Sequence, residues 1–406
     1  MKTPSVCFLL TWTVLVLAAC TSADPTLVPS TSAQAPVVPE SRSRLVAPVS
    51  ANPSVTPPQT NVGFGTADKL TITPIVIASS LTAPCSDEPW LPTHGMAQDL
   101  QPRDVDPDSG RWVMTSESGG VYLFESGEEG LPGKWISRFC PGEGLPNGKI
   151  VDAVFGPSDN TISVAMASRG LGQIDLSTGK ATPVSSLPEV TVARCLRWPE
   201  KPGQILLLFA PMGPAGDFGG LVWFDGQGTV STPKLTIPGS PGIHAYRIVD
   251  AVWLASTNSL LLASTAGLLQ LDTDGKTQQW TQNQVAALDM AVDRSHGWAA
   301  GGDLVRIDPQ GGVTKLLPLP GPPKHRPAIR DVITLDDGYV VVNVNGTVTR
   351  GWTNGAQLVN EHTVNTIEDA RTIRRVGNTT SVVVGTWKRG LYHVTWPPYH
   401  TRQIRQ

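Results

Sequence analysis

The sequence predicts an all-β protein, a seven-bladed β-propeller, on three observations. First, an aspartate recurs in six of seven similar segments, at Asp99, Asp152, Asp250, Asp289, Asp331 and Asp369, while the remaining segment reads Ala193-Arg194-Cys195. Second, a further apolar run follows in each segment, opened by glycine in six of them: Gly120-Val-Tyr-Leu-Phe124, Gly170-Leu-Gly-Gln-Ile-Asp175, Gly220-Leu-Val-Trp-Phe-Asp225, Gly267-Leu-Leu-Gln-Leu-Asp272, Asp303-Leu-Val-Arg-Ile-Asp308, Gly346-Thr-Val-Thr-Arg350 and Gly390-Leu-Tyr-His-Val394. Third, the segments recur about every 45 residues, the period of propeller blades; a β-helix repeats at roughly half of that or less, and a sandwich has no cause to repeat at all.

The elements follow in chain order. Lys2, an apolar stretch from Val6 to Leu17 and then Leu17-Ala18-Ala19-Cys20 make an N-terminus whose apolar run is too short to span a bilayer. Small residues just before a cysteine in this setting resemble the lipobox of bacterial lipoprotein signal peptides. The resemblance implies removal of residues 1–19 as a signal peptide and lipid on Cys20. It also implies an extracytoplasmic location, on the cell membrane or the outer membrane; the residue after the cysteine is Thr21, and the leaflet stays open. Residues 20–66 form the anchor and a Ser/Thr/Pro-rich linker with eight prolines between Pro25 and Pro58 and no aromatic residue before Phe64. Such a composition cannot bury a core and predicts a disordered tether, about 40 Å in mean reach. Residues 67–406 are then the propeller, with a ring-closing strand at about 69–79, where Pro74 suits an edge position, and blades over about 90–396.

Within a blade the strands are legible by content. In the second segment, 150–155, 161–167 and 171–176 are short, apolar or alternating and rich in β-branched residues; Gly156-Pro-Ser-Asp-Asn160 and Ser177-Thr-Gly-Lys180 supply the turns between and after them. No stretch beyond the N-terminus sustains a helical apolar period over three turns. A lone four-stranded sheet cannot bury both faces, and radial stacking gives each sheet two neighbours.

Cysteine usage fits an oxidising compartment. Cys7 leaves with the signal and Cys20 carries lipid, which leaves Cys85, Cys140 and Cys195 in the folded part. Cys85 with Cys140 is the preferred disulfide, and Cys195, on an inner strand among apolar residues, is expected as a buried thiol. The net charge of −3 and the lack of any basic run of five residues argue against a nucleic-acid partner.

The recurring aspartates are expected near the start of each innermost strand, at the mouth of the central channel. Repetition in most blades points to a job common to blades, such as accepting backbone N–H groups, because catalysis breaks symmetry whereas scaffolding respects it. Six converging carboxylates would raise one another's pKa. Arg103, Lys149, Arg194, Arg247, Arg330 and Arg371 stand near enough in sequence to neutralise them.

Departures from the repeat are the better pointers to binding. His94, His244, His325 and His362 lie at similar offsets before the aspartates and are expected to approach one face. The turns expected on that face carry Arg169, Asn345, Trp387 and Arg389, with Trp387 and Arg389 suited to stacking a planar or sugar-like ligand. No catalytic residue is assigned: there is no Gly-x-Ser-x-Gly, HExxH, Walker or dinucleotide-binding pattern in a fitting context.

Leu145-Pro-Asn-Gly-Lys-Ile-Val-Asp-Ala-Val154 through Gly170-Leu-Gly-Gln-Ile-Asp175 resembles the propeller repeats of two-component-regulator-type sensory proteins, and more loosely the WD40/YVTN-like superfamily. The likeness spans about residues 90–396. The Trp-Ile/Val-Gly-Thr strand of the sensory repeats survives only as Val384-Gly-Thr386, and no kinase segment follows. What the resemblance implies is an extracytoplasmic recognition platform. The expected function is therefore a lipid-anchored binding or assembly module of the bacterial cell envelope, monomeric and without cofactor, whose partner is an envelope protein or extracellular ligand. The alternative is a metal-dependent lyase or lactonase, with a divalent cation held at the channel mouth by carboxylate and histidine ligands.

Overall fold

Seven four-stranded antiparallel sheets follow one another along the chain. The computed structural model describes residues 70–76 and, within 99–396, all but 107, 117–119, 159, 188–190, 199–202, 210–219, 227–229, 232–246, 292–294, 303, 311, 316–328, 336–337, 355–356, 365 and 378–379. Six sheets use four consecutive strands each, at 100–139, 150–183, 192–231, 248–279, 285–315 and 329–364; these are blades 1 to 6. Blade 7, at 370–395, has three strands of its own and takes its fourth, Thr71–Ile75, from the start of the domain. That strand pairs antiparallel with Leu391–Thr395, from Thr71 opposite Thr395 to Ile75 opposite Leu391. Among the described residues the one helical element is a single 3-10 turn, Glu128–Gly130, inside blade 1.

The core lies between blades. One apolar cluster joins Val113 and Leu123 of blade 1 to Phe155, Ile162 and Val164 of blade 2. Another joins Trp112, Met114 and Tyr122 of blade 1 to Val383 and Leu391 of blade 7. Second strands such as Ile205–Phe209, Ser259–Ser264 and Ser381–Thr386 are buried along their whole length, because each is sandwiched by a sheet on either side. Between blades 6 and 7 the core takes in a cation: Arg350 is fully buried, its guanidinium 4.8 Å from the Trp352 ring and 5.6 Å from that of Trp396.

Local chemistry explains the turns. Asp175, the last residue of its third strand, and Asp272 and Asp308, just after theirs, accept the backbone N–H groups of the turn that follows, as at Lys276 N, 2.7 Å from Asp272 Oδ1. Gly346 takes φ +84° between the second and third strands of blade 6; a Cβ there would stand 2.7 Å from the amide nitrogen of Asp369, at the start of blade 7. Cys140, just past the outer strand Pro132–Phe139, is disulfide-bonded; Cys85, its expected partner, lies outside the described residues. Cys195 is a buried free thiol, and burial pushes its pKa well up.

Candidate functional site

In every blade the innermost strand slips register once against its neighbour, the signature of a β-bulge. In blades 2 to 7 the extra residue is the second of the strand: Val151, Ala193, Val249, Ala286, Arg330 and Arg371. In blade 1 it comes later, at Arg103. A bulge frees its extra residue from the ladder and re-aims it. Six of these seven residues, all but Ala286, line one cavity of about 320 Å³ at the centre of the ring. Gln101, Thr115, Ser116, Lys149, Asp152, Arg194, Asp331, Thr372 and Arg374 complete most of its wall.

The residue after the bulge in blades 2 to 7 is Asp152, Arg194, Asp250, Ala287, Asp331 and Thr372 in turn. Each of the three aspartates bridges two blades. One oxygen accepts the next residue's amide, and the other accepts an amide of the following blade: Cys195 N at 3.1 Å for Asp152, Leu288 N at 2.9 Å for Asp250 and Ile373 N at 3.1 Å for Asp331. Arginines complete the pairing. Arg194 lies 3.1 Å from Asp250, Arg374 3.0 Å from Asp331 and Arg103 3.8 Å from Asp152.

The register corrects the rest of the aspartate series. Asp289 sits two residues past the equivalent position; it accepts Thr334 N of blade 6 at 2.5 Å and pairs with Arg375 at 3.1 Å. Asp99 precedes its inner strand, is buried, and accepts the Ser116 hydroxyl at 2.6 Å. Asp369 also precedes its strand, at φ 58° and exposed, so it belongs to a turn. Asp104, outside the predicted series, does the inter-blade work in blade 1: it accepts Phe155 N of blade 2 at 3.0 Å and pairs with Arg197 at 3.1 Å. The apolar context of each aspartate reads alike in sequence, whereas one bulge residue more or less changes the side of the strand it occupies.

Buried carboxylates and guanidiniums are thus paired around the ring, and of the flanking basic residues Arg103 and Arg194 take part. Burial raises Asp104 and Asp289, with Arg197 and Arg375 respectively opposing the rise. Burial pushes Asp250 up to about 6 against the pull of Arg194 and of the Leu288 amide. A carboxyl raised on folding holds its proton more tightly in the folded chain. Its contribution is therefore fully present below the ordinary value of 3.8 and is lost as pH rises through about 6. The stability difference between wild type and Asp250→Asn is expected to move in favour of wild type by about 1–3 kcal/mol between pH 7 and pH 4. Urea melts of both proteins at the two pH values check this, and a difference independent of pH would contradict it.

The other sequence-predicted residues are scattered. His94, His244 and His325 lie outside the described residues. His362 is in the outermost strand of blade 6, opposite Arg350, and not on a loop entering an inner strand. Arg169 and Asn345 are on exposed turns between second and third strands; the Asn345 side-chain oxygen accepts Thr347 N at 3.1 Å. The predicted stacking face of Trp387 is already covered, with the Arg371 guanidinium 4.3 Å from the ring centre, and Arg389 pairs with Glu368. Among the described residues no group of three or more His, Cys, Asp or Glu stands together to hold a metal. The cavity wall carries six basic side chains against two carboxylates, so its charge does not fit a divalent cation.

No protein-family model and no curated protein sequence matches the chain. Among solved structures it is similar to the β-propeller domain of Cps50 (Swd1) from Myceliophteria thermophila, with a TM-score of 0.55 and 11% identity over 73% of this chain and 95% of that one. At that identity the likeness concerns the fold: this chain is a seven-bladed β-propeller.

Proposed function

We propose that the protein is a lipid-anchored, extracytoplasmic binding or assembly module of the bacterial cell envelope, using the face on which the inner strands begin. The observation that carries the binding role is the cavity at the centre of that face. A rigid ring positions it, and its walls depart from blade symmetry where the scaffold has no need to. The anchoring rests on Leu17-Ala18-Ala19-Cys20 and on the proline-rich stretch that follows, which give the domain a lipid and a tether. The partner is an envelope protein or an extracellular ligand.

Two experiments test the two halves. Wild type is expected to incorporate a palmitate label and Cys20→Ala to lose it, staying unprocessed, since both steps use that thiol; a labelled variant would refute the anchor. For the binding role, a photoreactive residue at Arg169, exposed beside the cavity rim, is expected to give a discrete adduct in the native membrane. The same residue at Lys180, exposed at the start of the outermost strand and next to the opposite turn of the same blade, is expected to give none. Equal labelling from both positions, or none from either, would overturn the choice of face.

A further inference from the structure

We infer that the central cavity is a binding site for a small polyanion, a molecule presenting phosphate or carboxylate oxyanions to an arginine arc on blades 6, 7 and 1. The inference rests on the binding role proposed for this face and gives its ligand a chemical class.

The bulge positions carry it. In blades 2, 3, 4 and 5 the freed residue is Val151, Ala193, Val249 and Ala286; in blades 6, 7 and 1, which are consecutive around the ring, it is Arg330, Arg371 and Arg103. Three guanidiniums therefore reach one cavity from one side, with apolar side chains at the same position across from them. A structural role common to all blades would use one residue type, and the scaffold function is already met by the aspartates.

Charge at the arc is in excess. Arg194 and Arg374 are held by Asp250 and Asp331. Arg330 donates to the carbonyl of Val344 and Arg371 lies over Trp387, and neither has a carboxylate partner among the described residues. The position after the bulge reinforces the asymmetry, because blade 7 has Thr372 where blades 2, 4 and 6 have aspartate. Thr372 is 7% exposed and lines the cavity, while its hydroxyl oxygen is turned against Gly385 of the same blade. Unmatched guanidiniums gathered on one side of a cavity are a donor set awaiting an acceptor. The Thr115 side chain, also on the wall, adds a hydroxyl on the blade 1 side. The planar forks suit bidentate contact with phosphate or carboxylate. The volume, at the small end for ligand pockets, suits a compact molecule or a single acidic group with its carrier.

The test is calorimetric titration of the full-length, detergent-solubilised protein with pyrophosphate and, separately, with citrate. Binding of one molecule per chain is expected for at least one probe, weakening at least tenfold in Arg330→Gln/Arg371→Gln. Because Arg371 also packs on Trp387, Lys149→Gln serves as a second variant; it lines the rim away from that contact and is expected to weaken the same probe severalfold. Binding of pyrophosphate alone assigns a phosphate ligand, of citrate alone a carboxylate ligand, and of both an oxyanion site of either kind. No binding of either probe at 10 mM, or unchanged binding in both variants, overturns the inference. The adduct from position 169 separates the outcomes: a discrete adduct without anion binding leaves the binding role standing and removes only the ligand class.

Discussion

Asp331→Ala is expected to lower folding stability by about 3–5 kcal/mol, among the largest losses of any single substitution in the inner ring. Asp331 accepts Val332 N and Ile373 N, both at 3.1 Å, and holds Arg374 at 3.0 Å, all at 5% exposure. Alanine orphans two amides and leaves a partly buried guanidinium without its counter-charge, and the second loss is the greater. Asp250→Ala removes the equivalent set, with Arg194 in the place of Arg374, and is expected to cost a similar amount. Asp152→Ala should cost less, about 1–3 kcal/mol, because Arg103 stands 3.8 Å away and keeps its hydrogen bonds to Gln101 and Thr115. Asp369→Ala, on its exposed turn, should melt close to wild type. Denaturant titrations of the four variants check the ranking. Raised stability at 152, 250 and 331 would mean that the carboxylates repel one another and do not join the blades.

Removing Thr71–Ile75 is the second large effect. The strand supplies the fourth member of blade 7 through five register pairs, and Leu70 and Ile72 pack against the cluster shared by blades 6 and 7. Its loss strips Leu391–Thr395 of an edge partner and is expected to cost on the order of 5 kcal/mol in hydrogen bonds and burial, seen as a fall in Tm of about 10 °C. A chain starting at residue 77 is compared with one starting at residue 67. The bare edge also predicts association of the shorter chain at high concentration, and a synthetic peptide of residues 70–76 should restore part of the lost Tm. Equal melting of the two chains would show that the ring closes without this strand.

The sequence by itself determined the class of fold, the number of blades and the buried thiol at Cys195. These depend on local properties: a repeat length, turn residues that stop a strand, and the apolar content of short runs. It also singled out Arg103, Lys149, Arg194, Arg247, Arg330 and Arg371, because they flank the repeated aspartates, and all of these but the exposed Arg247 line the cavity. What it left undecided was which side chain faces where. Side chains alternate along a strand, so the bulge in each inner strand exchanges channel-facing and blade-facing positions, and six aspartates that look equivalent divide into three bridging pairs of blades, one placed deeper and two outside the strands. The partners were likewise beyond local reading. Asp104 meets Arg197 and Arg374 donates to the carbonyl of Arg103 across the ring closure, separations of 93 and 271 residues. Arg371 covers the ring of Trp387 from 16 positions away, and so takes the surface that the tryptophan alone had offered to a ligand. Only closure of the ring brings the bulge residues of blades 6, 7 and 1 side by side, since blade 1 and blade 7 are the two ends of the repeat and become neighbours in space alone.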